Sequence, residues 1–142
     1  TMEGRCLCEH IHFSVSDDAV TVVNCHCNLC RKMNGSAFST YVVVNESEFE
    51  LVSGALKTVQ VSEHASKHFC EQCGTPVYNK NSNLTGLTIV YLGALDSAAQ
   101  LTPVMNIYCE SQLHWTSDLA SLKHFQQNVV KGQYQAEQTR SW

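Results

Sequence analysis

The sequence carries little charge of either sign and almost no proline: 15% of its 142 residues are charged, and there are two prolines. Nine Lys and Arg stand against thirteen Asp and Glu, a net charge of −4. That balance excludes a protein whose main task is holding nucleic-acid phosphates, which takes clustered cations. No run approaches the ~20 apolar residues that span a bilayer, so no membrane role is expected. The start of the chain lacks the basic-then-apolar pattern of a secretory signal, and a cytoplasmic location is the expectation. Met2 is taken as the native start and Thr1 is set aside. With 44% hydrophobic residues the length suits one modest core. A single domain is expected over residues 2–128, followed by a polar tail over 129–142.

Helical periodicity is also scarce. The segments 11–15, 20–24, 38–44, 49–52, 56–61 and 87–92 are short, rich in Val, Ile, Thr, Tyr and Phe, and bounded by turn-forming residues, which predicts strands. Between them the pairs Asp17-Asp18, Asn34-Gly35 and Ser53-Gly54, and the polar stretch 79–86, predict the turns of an all-β meander. A further strand is predicted over 104–109. Ser117 is positioned to cap a short C-terminal helix in which Leu119, Leu122 and Phe125 recur at helical spacing.

What the sequence does have is cysteine, eight in all. In a chain without a secretory signal, thiols stay reduced and free to bind metal. The competing arrangement is four disulfides in a secreted domain. It fits poorly, because C-x-C and C-x-x-C pairs are too close to bridge comfortably within themselves and well spaced to chelate one ion. Seven cysteines fall into three clusters: Cys6 with Cys8; Cys25, Cys27 and Cys30; and Cys70 with Cys73. Zinc bound by thiolates is four-coordinate, so two ions need eight donors and the clusters supply seven. The partition gives Cys6, Cys8, Cys70 and Cys73 to a closed structural zinc. Cys25, Cys27 and Cys30 go to a second zinc with one open position, which need not be fully occupied without substrate. An open three-thiolate zinc holds an incoming thiol as thiolate at neutral pH. The alternative is a fourth protein ligand, from His26, His68, His10, His12 or Cys109, which makes both sites structural. Cys109, in the predicted last strand, is otherwise expected to be a buried small hydrophobe.

The stretches G-R-C-L-C at 4–8, C-H-C-N-L-C-R at 25–31 and F-C-E-Q-C-G-T-P-V-Y at 69–78 resemble the glutathione-dependent formaldehyde-activating enzymes and the related centromere protein V. Gly35-Ser36, Gly54, Gly93-Ala94-Leu95-Asp96, Pro103 and Trp115 match in the same order, so the resemblance runs to about residue 115. It departs at Glu9, where the family usually has Gly, and at Asn106, where it often has His. The resemblance implies a mainly β fold of folded, twisted antiparallel sheets stapled by zinc, akin to methionine-R-sulfoxide reductases and zinc-binding Rab chaperones. It implies the same metal partition, with Cys25, Cys27 and Cys30 catalytic. The implied activity is that of a carbon–sulfur lyase, adding the thiol of glutathione to formaldehyde to give S-hydroxymethylglutathione. Arg31 or Lys32 is then expected to grip a glutathione carboxylate, against the simpler expectation of a solvated helical turn. Tyr41, Tyr78 and Tyr91 are expected to pack, and His64 and His68 to lie at the surface, so no proton donor is assigned. Two other classes compete: a non-catalytic zinc module that binds a protein partner, and a sulfoxide reductase that uses Cys109.

Overall fold

The structure, a computed structural model, describes residues 1–132. Residues 133–142 of the expected tail lie outside the described residues. In chain order the elements are β1 (Met2–Arg5), β2 (His12–Val15), β3 (Thr21–Cys25), α1 (Asn28–Asn34), β4 (Ser39–Asn45), β5 (Phe49–Ser53), β6 (Leu56–Gln60), β7 (Ala65–Cys70), β8 (Pro76–Asn81), β9 (Leu87–Tyr91) and β10 (Met105–Ile107). The expected mainly β single domain is what is found. β1, β2 and β5 form a three-stranded sheet, and the other seven pair in the order β10-β3-β4-β9-β8-β7-β6. All pairs are antiparallel except β10 with β3, so the larger sheet is mixed and the chain is not a simple meander. Among the described residues no helix is long and apolar enough to cross a membrane.

The period-2 pattern in β4 explains the layering, because successive side chains alternate between faces. Val42 and Val44, with Val90 opposite Val42, pack in one cluster with Ile11, Phe13 and Val15 of the first sheet's segment. Burying an aromatic ring such as that of Phe13 stabilises by about 2–3 kcal/mol, and Phe13 is fully buried and stacked on Phe49 at 5.4 Å. Tyr41, on the opposite parity, pairs with Val23 and Tyr91 and belongs to a second cluster with Cys25 and Cys30.

Three departures from the sequence-based expectation have physical causes. Polar stretch 79–86 is not wholly a turn: residues up to Asn81 continue β8, because Ser66 to Lys80 and Lys67 to Asn79 pairing with β7 satisfies their backbone. The last strand stops at Ile107, since Tyr108 takes a left-handed conformation (φ 56°), and Cys109 sits exposed in a 3₁₀ turn instead of buried in a strand. The C-terminal helix takes the form of 3₁₀ turns over His114–Ser121, broken at Asp118, with Leu119, Leu122 and Phe125 exposed. Without an apolar face to bury, nothing selects the longer α-helical hydrogen-bond pattern.

Gly54 is the corner at which the chain leaves β5 in the small sheet and enters β6 in the large one. Its φ of 94° disfavours any side chain, and a methyl there would collide with the carbonyl oxygen of His10 and the Ile11 side chain. Gly54→Ala is therefore expected to destabilise the protein by roughly 2–4 kcal/mol in urea unfolding. A loss below about 0.5 kcal/mol would show that this corner is not constrained.

Candidate functional site

The first cysteine cluster joins the two sheets. Cys6 and Cys8 lie on the turn after β1, Cys70 ends β7 and Cys73 lies in the β7–β8 turn. The Sγ atoms of Cys6 and Cys8 are 3.6 Å apart and those of Cys8 and Cys70 are 3.8 Å apart, and all four lie within 4.8 Å of one another. A disulfide would bring two sulfurs to about 2.05 Å. Around a tetrahedral zinc with ~2.3 Å bonds, two sulfurs stand about 3.8 Å apart, so the donor set and its spacing fit that ion. Backbone N–H groups point at the sulfurs: Ile11 N–H donates to Cys6 Sγ at 3.2 Å, and Gln72 and Cys73 N–H donate to Cys70 Sγ at 3.3 and 3.4 Å. Thr75 ties the two turns together, its Oγ1 accepting from Leu7 N–H at 3.0 Å while lying 3.1 Å from Cys73 Sγ. The Thr75 hydroxyl, followed by its backbone N–H, holds the Cys73 thiol down at about 5. Glu9, where the resembled family usually has Gly, has a φ of 64°, which explains why glycine suits that turn.

The second cluster is built by the end of β3 and the start of α1. Cys25 is the last residue of β3, Cys27 is the N-cap of α1 and Cys30 lies one turn in. Cys27 does a capping side chain's job, its Sγ accepting from Cys30 N–H at 3.2 Å. Cys30 Sγ donates to Cys25 Sγ at 3.6 Å, and the three sulfurs lie within 4.8 Å of one another. This donation from Cys30, working against burial, holds the Cys25 thiol down at about 6. It pushes Cys30 in the opposite direction, together with burial. The set fits a zinc ion as three of its four ligands, by the same sulfur spacing.

Among the described residues no fourth Cys, His or carboxylate joins the triplet. His26 turns away, its buried ring tilted by 37° against Phe38 with centroids 5.0 Å apart and its Nε2 3.0 Å from Asn106 Oδ1. His10 lies beside Glu71, His12 beside Glu3, and His68 bonds Thr58 and Ser66 while stacking on Tyr78. His64 bonds Ser82 at the surface, as expected. Cys109 Sγ donates to Asn106 O at 3.5 Å.

Opposite the triplet is a group the sequence did not mark as functional. Tyr41 Oη sits 3.0 Å from Cys30 Sγ and accepts from Asn79 Nδ2 at 3.3 Å. Tyr91 Oη in turn lies 2.9 Å from Asn79 Oδ1 and 3.1 Å from Asn34 Oδ1. Tyr41 and Tyr91 are thus more than packing residues, although they do pack edge-on at 5.1 Å. Burial pushes both phenols above their ordinary range, Tyr91 and Cys30 adding to the rise for Tyr41. A cavity of about 370 Å³ opens beside the triplet, lined by its three cysteines, Tyr41, Asn79 and a set of apolar side chains. Arg31 and Lys32 lie in the last turn of α1 and neither lines that cavity.

The family model of the glutathione-dependent formaldehyde-activating enzymes matches residues 1–111. The chain belongs to that family. An uncharacterized lyase of Schizosaccharomyces pombe (strain 972 / ATCC 24843) is 30% identical over 81 residues, which is 57% of this chain. The match spans 58% of that relative's length. The crystal structure of a Rhodobacter sphaeroides protein superposes with a TM-score of 0.61 at 21% identity, covering 74% of this chain and 99% of that one, and supports the fold.

Within this glutathione-dependent formaldehyde-activating enzyme family member, the single proton of the Tyr91 hydroxyl goes to one of two amide oxygens in reach, the nearer being that of buried Asn79 at 2.9 Å. Tyr91→Phe leaves the buried Asn79 oxygen without that donor and is expected to cost about 1–3 kcal/mol at pH 7. The unfolded phenol ionises near pH 10 and the buried one only higher, so stability is full below about pH 10 and falls above it, by up to ~1.4 kcal/mol per pH unit. The variant lacks this penalty, so urea unfolding at rising pH is expected to narrow the gap between the two proteins. A gap that stays constant to about pH 11.5 would contradict the buried neutral phenol.

Proposed function

We propose that this protein is a zinc-dependent carbon–sulfur lyase-like enzyme that joins a thiol such as glutathione to formaldehyde, forming or cleaving S-hydroxymethylglutathione. Family membership supports the reaction class, and the lyase name of the Schizosaccharomyces pombe relative agrees with it. The observation that carries the reading is the asymmetry of the clusters: four thiols gathered in one, three in the other, with the cavity beside the three.

In this reading Cys6, Cys8, Cys70 and Cys73 hold a structural zinc and Cys25, Cys27 and Cys30 hold a catalytic one. When bound, zinc supplies a Lewis-acid position that keeps a thiol ionised near neutral pH. The chain's own residues do the rest. With zinc bound, the Tyr41 hydroxyl would donate a hydrogen bond to Cys30, easing the negative charge that three thiolates would concentrate in one buried pocket. Asn79 and Tyr91 fix the Tyr41 ring so that this donation persists. The cavity wall excludes water and positions the carbonyl carbon for attack by sulfur. Arg31, one residue beyond Cys30 and outside the cavity wall, is the cation assigned to a glutathione carboxylate that stays at the surface. The proposed location is the cytoplasm, a reading supported by the eight free thiols, which suit a reducing compartment. The catalytic domain is assigned to residues 2–128.

The test combines zinc counting with exchange measurements. The purified protein is expected to carry up to two zinc ions and to speed glutathione–formaldehyde interconversion above the uncatalysed rate, followed by magnetisation exchange. Cys27→Ser is expected to retain about one zinc, unfold at nearly the same urea concentration, and lose at least 100-fold of the catalysed rate. Two zinc ions that neither exchange nor respond to thiol, with no rate above background, would instead identify a structural module.

A further inference from the structure

The cavity beside the triplet is far larger than formaldehyde requires. A water molecule's share of liquid volume is about 30 Å³, so about 370 Å³ has room on the order of ten such molecules, whereas formaldehyde has two heavy atoms. The volume falls in the range of pockets built for whole small molecules. Its wall is chiefly apolar: Val23, Val43, Ile89 and Ile107 from the sheet, Leu29 and Met33 from α1.

The polar groups deep in that wall are largely engaged within the protein, Asn81 Oδ1 accepting from Asn83 N–H at 2.8 Å, while Tyr108 is exposed to solvent. Tyr41 Oη is taken by Cys30 and Asn79, and Asn79 by Tyr41 and Tyr91. Lys80 is the one charged side chain lining the cavity among the described residues, and its Nζ is held by Glu46 Oε2 at 2.8 Å and Leu87 O at 3.2 Å. A tripeptide thiol with two carboxylates and an ammonium group would lose hydration here, where the one lining cation is already paired with Glu46. The cavity therefore suits the other reactant.

Resting on the thiol–carbonyl reaction proposed above, we infer that the cavity binds the hydrocarbon body of a larger aldehyde, a medium-chain aliphatic or an aromatic one, as the electrophile. In the forward step the thiol sulfur bonds to the carbonyl carbon, the carbon–oxygen π bond opens, and the proton released by the thiol ends on that oxygen as a hydroxyl. The product is a hemithioacetal, and the reverse step breaks the same carbon–sulfur bond. No oxidant or reductant enters. Each methylene that leaves water for the apolar wall contributes about a fourfold gain in affinity. Selectivity follows from chain length.

The experiment uses the zinc-loaded protein with glutathione and a series running from formaldehyde through propanal and butanal to hexanal, with benzaldehyde and the charged glyoxylate alongside. The aldehyde KM is expected to fall about fourfold per methylene from propanal to hexanal, and glyoxylate is expected to be a poor substrate. Hexan-1-ol, which cannot react, is expected to shift the methyl resonances of Ile89, Val43 and Ile107. Ile89→Trp, which fills the cavity, is expected to lower the hexanal-to-formaldehyde ratio of kcat/KM at least tenfold; Val43→Phe serves the same purpose if the first variant folds poorly. Formaldehyde turnover with a KM that ignores chain length, or methyl resonances that ignore hexan-1-ol, would overturn the inference and leave the proposed function standing. No turnover with any aldehyde would overturn both.

Discussion

Sulfur atoms held side by side are the constraint on which the structure turns. Within the two clusters, neighbouring Sγ atoms stand 3.6–3.8 Å apart, too far for disulfides and close enough that ionised neighbours repel. A divalent cation with an affinity for thiolate converts that repulsion into cohesion, and its binding free energy becomes folding free energy. The first cluster spans sequence positions 6 to 73 and fastens the turn after β1 to the β7–β8 turn, thereby linking the small sheet to the large one. The corner at Gly54 and the left-handed turn at Glu9 press against that same joint.

The two clusters share donors and differ in surroundings. Around the first, backbone N–H groups and Thr75 point at the sulfurs, and the tight turns leave the site at the protein's edge with Cys8 exposed. The second sits on the opposite face of the large sheet, between β3, β4 and α1, with its own hydroxyl–amide chain from Tyr41 through Asn79 to Tyr91 and a cavity against it. A site enclosed by packed aromatic and amide groups on one side and an apolar chamber on the other is suited to bringing a thiolate and a carbonyl together away from bulk water.

Much of this was legible in the chain. The cysteine clusters were, because C-x-C and C-x-x-C spacing places two sulfurs on one tight turn whatever the rest of the fold does. So were β2 to β6 and β9, whose Val-, Ile- and Thr-rich stretches have few other uses. β7 and β8 were not, since A-S-K-H-F-C and P-V-Y-N-K-N carry too few apolar residues to announce strands, and only mutual pairing makes them so. α1 was legible only as a helical turn at Arg31 and Lys32, because its N-cap is a cysteine and its seven residues offer little periodicity. The roles of Tyr41, Asn79 and Tyr91 depend on the register of β3, β4, β8 and β9, which no local pattern encodes. The cavity wall, drawn from separate strands, α1 and the turn at Tyr108, was likewise out of reach.

The central claim is that the three-cysteine cluster holds zinc with a position that an incoming thiol fills. Zinc K-edge absorption on the purified protein, with and without glutathione, counts sulfur neighbours per ion directly. On protein loaded to two zinc ions per chain, the mean sulfur count is predicted to lie below four without glutathione and to rise to four when it is added, at the expense of a lighter oxygen or nitrogen neighbour. A count of four before glutathione is added, or a mixed sulfur and nitrogen shell that glutathione leaves unchanged, would contradict it.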